Sequence, residues 1–193
     1  NDDELLILQP TRVVQRKGIE HALELVARLN MKATFVISHA SGDEGYEYQQ
    51  RIKEYADKYP EAVYTAADES MTYNPLWNHR ADCAFPSATQ NEINEIDAAN
   101  LIENGVRLVA EGANMPSTAQ AVDLFLDNQL LFAPGKAANA GGVAVSGLEM
   151  SQNSMRINWS REEVDARLKG IMKSIHTACM DASAQYGKPG NYV

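Results

Sequence analysis

The chain has 193 residues, 45% of them hydrophobic and 22% charged, with 17 Lys+Arg against 26 Asp+Glu. That length and composition suit one α/β domain with a real core, and they set aside disorder, collagen-like repeats and a coiled coil. A net charge of -9 argues against nucleic acid and anionic membrane as partners, because both require a cationic face.

The chain opens on Asn1-Asp2-Asp3-Glu4, which lacks the basic stretch of a secretory signal. Leu5-Leu6-Ile7-Leu8 is an apolar run of strand length, closed by Pro10. Ile19, Leu23, Val26 and Leu29 then recur at helical spacing. Ala33-Thr34-Phe35-Val36-Ile37 is a second buried-strand pattern, and the turn-rich Ser41-Gly42-Asp43-Glu44-Gly45 follows it. A helix from about Tyr46 to Lys58 ends before Pro60, as the residues preceding a proline favour. Ala62-Val63-Tyr64-Thr65, Asp82-Cys83-Ala84-Phe85, Arg107-Leu108-Val109-Ala110 and Leu130-Leu131-Phe132-Ala133 are four further short strands. Helical stretches lie between the later ones, around Glu95–Glu103 and Thr118–Asp127. From about Gly141 the chain turns helical, and Ser160-Arg161-Glu162-Glu163 forms a capping box that opens the last long helix.

Strands alternating with helices specify a doubly wound, Rossmann-like parallel sheet with helices on both faces, a three-layer α/β/α single domain. Ligands of such sheets bind at the carboxyl ends of the strands, so the loops after strands carry the functional information. No apolar run approaches the ~20 residues of a membrane span. Cys83 and Cys179 are the only cysteines, too few for a disulfide framework, which points to a reducing, cytoplasmic setting. His21, His39, His79 and His176 show no ligand spacing, so no metal site is expected. Cys83 in a strand reads as a small buried hydrophobe.

The loop after the first strand, Gln9 to Gly18, holds Arg12 and Lys17 next to a helix N-terminus. Two cations there can clamp a phosphate with help from free N–H groups and the helix dipole. Spacing alone favours the plainer reading, in which they are merely solvated loop residues. Residues 5–29, with Ser38-His39-Ala40-Ser41-Gly42-Asp43-Glu44-Gly45, resemble the donor-binding domain of retaining, family-4-type GT-B glycosyltransferases. That resemblance implies a diphosphate-binding role for Arg12 and Lys17, although the later acidic motif of that family is missing.

The second half resembles another family. Ser87-Ala88-Thr89-Gln90-Asn91-Glu92, Glu111-Gly112-Ala113-Asn114-Met115-Pro116, the run from Ala133 to Val143 and Ser146-Gly147-Leu148-Glu149-Met150-Ser151-Gln152-Asn153 follow in order. Together they are similar to the coenzyme-binding domain of hexameric NAD(P)-dependent glutamate dehydrogenases, from about Trp77 to Val193. The resemblance implies that Thr89, Asn114 and Asn139 lie near the nicotinamide end of the cofactor, and that Ser146 contacts the distal carboxylate of glutamate. By residue type alone these are also ordinary turn and cap residues.

Two features of a working dehydrogenase are missing from the sequence. No G-x-G occurs anywhere in it, so the usual backbone approach to a pyrophosphate is lacking. The substrate domain, which the resemblance makes the source of the catalytic Lys and Asp, is also absent. The expectation is an engineered chimera of sub-domain fragments, with a glycosyltransferase-like piece over residues 1–60 and a dehydrogenase-like piece over 61–193. Such a scaffold is expected to be without catalysis and to require no cofactor, binding NAD(P) or a nucleotide diphosphate weakly at most. It is expected to be a monomer, or a weak dimer through an exposed former domain interface around Gly141–Met150. The alternative is a nucleotide- or dinucleotide-binding module derived from an NAD(P)-dependent glutamate dehydrogenase. Activity, if present, would then be that of a glutamate dehydrogenase-type oxidoreductase.

Overall fold

Five short apolar runs make one sheet. The structure, a computed structural model, describes residues 5–8, 28, 33–36, 70–189, 191 and 192. The strands are β1 (Leu5–Leu8), β2 (Ala33–Val36), β3 (Cys83–Ala84), β4 (Leu108–Ala110) and β5 (Leu131–Ala133). They lie in the order β2-β1-β3-β4-β5, and every pairing is parallel. Parallel sheets are ordinarily covered on both faces, which favours continuous apolar runs; in β4 and β5 the middle residues Val109 and Phe132 are buried, while Leu131 is exposed. The register sets Ile7 beside Cys83, Ala84 beside Val109 and Val109 beside Phe132. This is the doubly wound, Rossmann-like α/β fold expected from the alternating pattern.

The helices are α1 (Glu95–Glu103), α2 (Ala119–Asp127), the four-residue α3 (Gly135–Ala138), α4 (Ala140–Met155) and α5 (Arg161–Gln185). A 3-10 turn at Pro75–Asn78 precedes β3. Each start follows from local chemistry. Asn94 caps α1 through bonds from the Ile96 and Asp97 N–H groups, and Asp97 returns a bond from the Asn94 N–H. Thr118 is the cap of α2 rather than its first turn. The Ser160–Glu163 box at α5 is formed in both directions, at 3.2 and 2.7 Å.

Prolines trim the strands. Pro86 and Pro134 follow β3 and β5 closely, and a proline has no N–H to give to a ladder. The core fills the space between sheet and helices: Trp77, Ala84, Ile93, Leu101, Val109 and Phe125 are fully buried. Phe125 on α2 meets Phe132 on β5 with ring centroids 5.7 Å apart. On α4, by contrast, Val143 and Met150 are exposed.

The predicted helix from Tyr46 to Lys58 and the predicted strand at Ala62–Thr65 lie outside the described residues. So does the first predicted helix, apart from Arg28, which is helical. The single turn of α3 escapes a reading by periodicity because four residues are too few to show one.

Candidate functional site

The loops after β3, β4 and β5 meet at the carboxyl end of the sheet and enclose a cleft of about 360 Å³. Ala88, Thr89 and Gln90 come from the first loop, Gly112, Ala113 and Asn114 from the second, and Asn139 from the end of α3. Three of the residues singled out from separate motifs, Thr89, Asn114 and Asn139, therefore converge on one hollow. Thr89 and Asn114 are exposed and Asn139 is half-buried. Asn139 Nδ2 donates to Asn114 Oδ1 at 3.1 Å, linking the second loop to the third across the cleft.

Each loop is held by its own device. Glu92 Oε2 accepts the N–H groups of Ala88 and Thr89 at 2.7 and 2.9 Å, which folds the first loop back on the start of the next segment. The second loop is tied to the first by bonds from the Asn91 N–H to Met115 O and from the Ile93 N–H to Pro116 O. Gly112 donates to Pro86 O at 2.7 Å. A methyl group at Gly112 would overlap Ser87 Oγ, so the two loops approach this closely only because the side chain is missing. Gly135 is under the same constraint, since a methyl group there would strike Ala113 O. Beneath the second and third loops Glu111 is buried, and its carboxylate accepts the Ser117 and Gly135 N–H groups.

The lining is polar and neutral. Three carboxamides, of Gln90, Asn114 and Asn139, and one hydroxyl, of Thr89, suit the hydroxyls of a ribose or an amide group, each of which offers both donors and acceptors. Among the described residues no cluster of His, Cys, Asp and Glu could hold a metal ion. Cys83, below the cleft in β3, is half-buried rather than fully buried. Burial, reinforced by the Asp82 charge and opposed by Arg107, pushes its thiol above the usual range, which keeps it a thiol rather than a nucleophile. Ser146 is exposed on α4 and does not line the cleft. Arg12 and Lys17 lie outside the described residues. Sequence reasoning missed Glu111, whose only local sign was an acid directly after a strand and before a glycine.

The profile of the Glutamate/Leucine/Phenylalanine/Valine dehydrogenase family matches residues 13–193. The chain belongs to that family. A glutamate dehydrogenase of Bacteroides thetaiotaomicron is 52% identical over 146 residues, covering 76% of this chain and 31% of that protein. An NADP-specific glutamate dehydrogenase from an unknown prokaryote is 46% identical over 187 residues, covering 93% of this chain and 41% of that protein. The crystal structure of Plasmodium falciparum glutamate dehydrogenase superposes with a TM-score of 0.72 at 35% identity, covering 96% of this chain and 41% of that one. The chain thus spans well under half the length of these relatives.

These matches correct the composite reading. The family profile begins inside the Pro10–Gly18 loop and runs through residue 60, where the junction was expected. The prokaryotic relative likewise covers nearly the whole chain. Nothing in them supports a glycosyltransferase piece, a chimera or an engineered origin. The two cations and the missing G-x-G, which prompted that reading, stand within or beside a segment the dehydrogenase family itself accounts for.

Proposed function

We propose that the chain is the dinucleotide-binding part of an NAD(P)-dependent, glutamate dehydrogenase-type oxidoreductase. The observation that carries this reading is the convergence of Thr89, Asn114 and Asn139 on one cleft at the carboxyl ends of the strands, where doubly wound sheets bind nucleotides. Family membership supplies the chemistry: a bound nicotinamide would accept or give a hydride. The residues present fit that group, because the lining offers neutral donors and acceptors for a carboxamide and ribose and, among the described residues, no competing charge.

In this reading Asn114 and Asn139 orient the nicotinamide end, with Thr89 closing the cleft from the first loop. Arg12 and Lys17 would bear on the pyrophosphate, and Ser146 would face the glutamate side. The role of the chain's own residues is to hold and orient the ring, since hydride transfer depends on near-attack geometry. Relatives carry both NADP-specific and NAD-specific names.

Titration with NADH and with NADPH, followed by nicotinamide fluorescence, tests the proposal. Saturable binding of at least one is expected. Replacing Asn114 or Asn139 by Ala should weaken it about tenfold, the loss of roughly one well-placed hydrogen bond. Absence of saturable binding of either nucleotide by the unaltered protein would sink the reading.

A further inference from the structure

We infer that Glu111 is a positioning residue of the cleft, one buried carboxylate that fixes the Asn114–Asn139 pair by holding both segments that carry it. What the cleft holds rests on the dinucleotide-binding reading; how it is held rests on the geometry alone. Glu111 is 4% exposed and follows β4 directly. Its two oxygens serve two different places. Oε1 accepts the Ser117 N–H at 3.2 Å, which ties both ends of the loop that displays Asn114. Oε2 accepts the Gly135 N–H at 2.6 Å, reaching the first residue of α3.

That second bond does what a local cap does elsewhere. The residue before α3 is Pro134, which provides no side-chain cap, so the Gly135 N–H would otherwise lack an acceptor. α3 is a single turn, and its end residue is Asn139, whose amide donates to Asn114. The two carboxamides are therefore tethered to one carboxylate from opposite sides. A side chain at Gly135 would strike Ala113 O, so the two segments come this close only at a glycine.

Among the described residues no Lys or Arg is paired with the Glu111 side chain, and its partners are two backbone N–H groups. What a carboxylate offers that a neutral side chain does not is two acceptors in one rigid plane. Gln at the same position keeps the shape but turns an NH2 group toward one of the two donors.

Three kinds of measurement, of coupling, chemical shift and affinity, decide the matter. In the unaltered protein a through-hydrogen-bond coupling should connect the Gly135 amide nitrogen to the Glu111 carboxylate carbon. The Gly135 and Asn139 side-chain amide resonances should both move as NADH is added. In Glu111→Gln those resonances should shift in the free protein, and the Kd for NADH should rise about tenfold. The Kd for ADP-ribose, which lacks the nicotinamide, should change less than about twofold, within the scatter of a near-neutral substitution.

A missing coupling overturns the geometry and with it the inference, whatever binds. Normal NADH affinity in Glu111→Gln overturns the positioning role. Equal weakening for NADH and ADP-ribose would show a general structural part instead, and would overturn it too. If Glu111→Gln does not fold, the coupling and the NADH-dependent shifts in the unaltered protein still decide it. Failure of the dinucleotide reading is recognised separately, by an unaltered protein that shows the coupling but binds neither nucleotide, and the role assigned to Glu111 falls with it.

Discussion

Asp97 has the surroundings least suited to its charge. It is 2% exposed, and its carboxylate accepts the Asn74 N–H at 2.7 Å and the Asn94 N–H at 3.1 Å. Burial raises its pKa above the ordinary carboxylate range, and the two N–H bonds only partly oppose that rise. The folded state therefore holds the proton more tightly than the unfolded chain. Its contribution to stability is complete below the unfolded value of about 3.9 and is lost as the pH rises through the folded value. Carboxyl-detected NMR titration should place the Asp97 midpoint above that of the exposed Asp residues. Asp97→Asn removes one acceptor and faces a buried N–H with an NH2 group, so denaturant unfolding should show a loss of about 1–3 kcal/mol. The advantage of the unaltered protein over Asp97→Asn should be largest in acid and shrink toward neutral pH. A stability gap that instead grows with pH would contradict the assignment. Asp97 and Glu111 also mark where sequence reading stops at this scale. Each has a decisive partner more than twenty residues away, Asn74 at a separation of 23 and Gly135 at 24. Thr89, Asn114 and Asn139 were singled out by the resemblance of the runs that follow β3, β4 and β5; that the two Asn side chains pair could not be read from those runs.

Elements were readable where their start signals are local. The Ser160–Glu163 box and the proline-bounded strands follow from neighbours in the chain, and the structure reproduces them within a residue or two. α3 was not, because it is a single turn whose first N–H is satisfied by Glu111, from the loop after β4, rather than by its own preceding residue. Glycine substitutions separate the two kinds of constraint. Gly135→Ala puts a methyl group against the Ala113 carbonyl, which is backbone and cannot swing away. It should cost about 1–3 kcal/mol, as overpacking does, and should weaken nucleotide binding because α3 carries Asn139. Gly147 lies inside α4 with open space where a Cβ would point. Gly147→Ala should therefore stabilise by roughly 0.5–1 kcal/mol through helix propensity alone. Thermal melts of the two variants check both signs at once. A Gly135→Ala protein as stable as the parent would mean that the loops can separate, and the close approach of Gly135 to Ala113 would not hold.

At the scale of the whole molecule, the parallel sheet joins the early strands to the later ones: β1 lies between β2 and β3, with Ile7 beside Cys83 and Leu8 beside Ala84. Composition and charge did not predict any division of the chain, and the family match that runs from residue 13 to 193 agrees with them rather than with a junction near residue 60. What misled the sequence reading was a second resemblance carried by a short segment, residues 5–29 with 38–45, whose two loop cations and missing G-x-G were taken as marks of another ancestry. A sheet whose central strand bonds to neighbours from both parts of the chain cannot lose one part without exposing edges and apolar faces in the other. Thermal unfolding should accordingly be one cooperative transition, superposable by far-UV and near-UV circular dichroism. Adding the better-bound of NADH and NADPH at about 100 times its Kd should stabilise the fold by roughly 2.7 kcal/mol. For a chain of this size that corresponds to a rise in Tm of about 5–11 °C. The single transition should move as a whole, since the cleft draws on loops after β3, β4 and β5 and β3 is bonded to β1. Two transitions, of which only the later responds to nucleotide, would show instead that the chain folds as separable pieces.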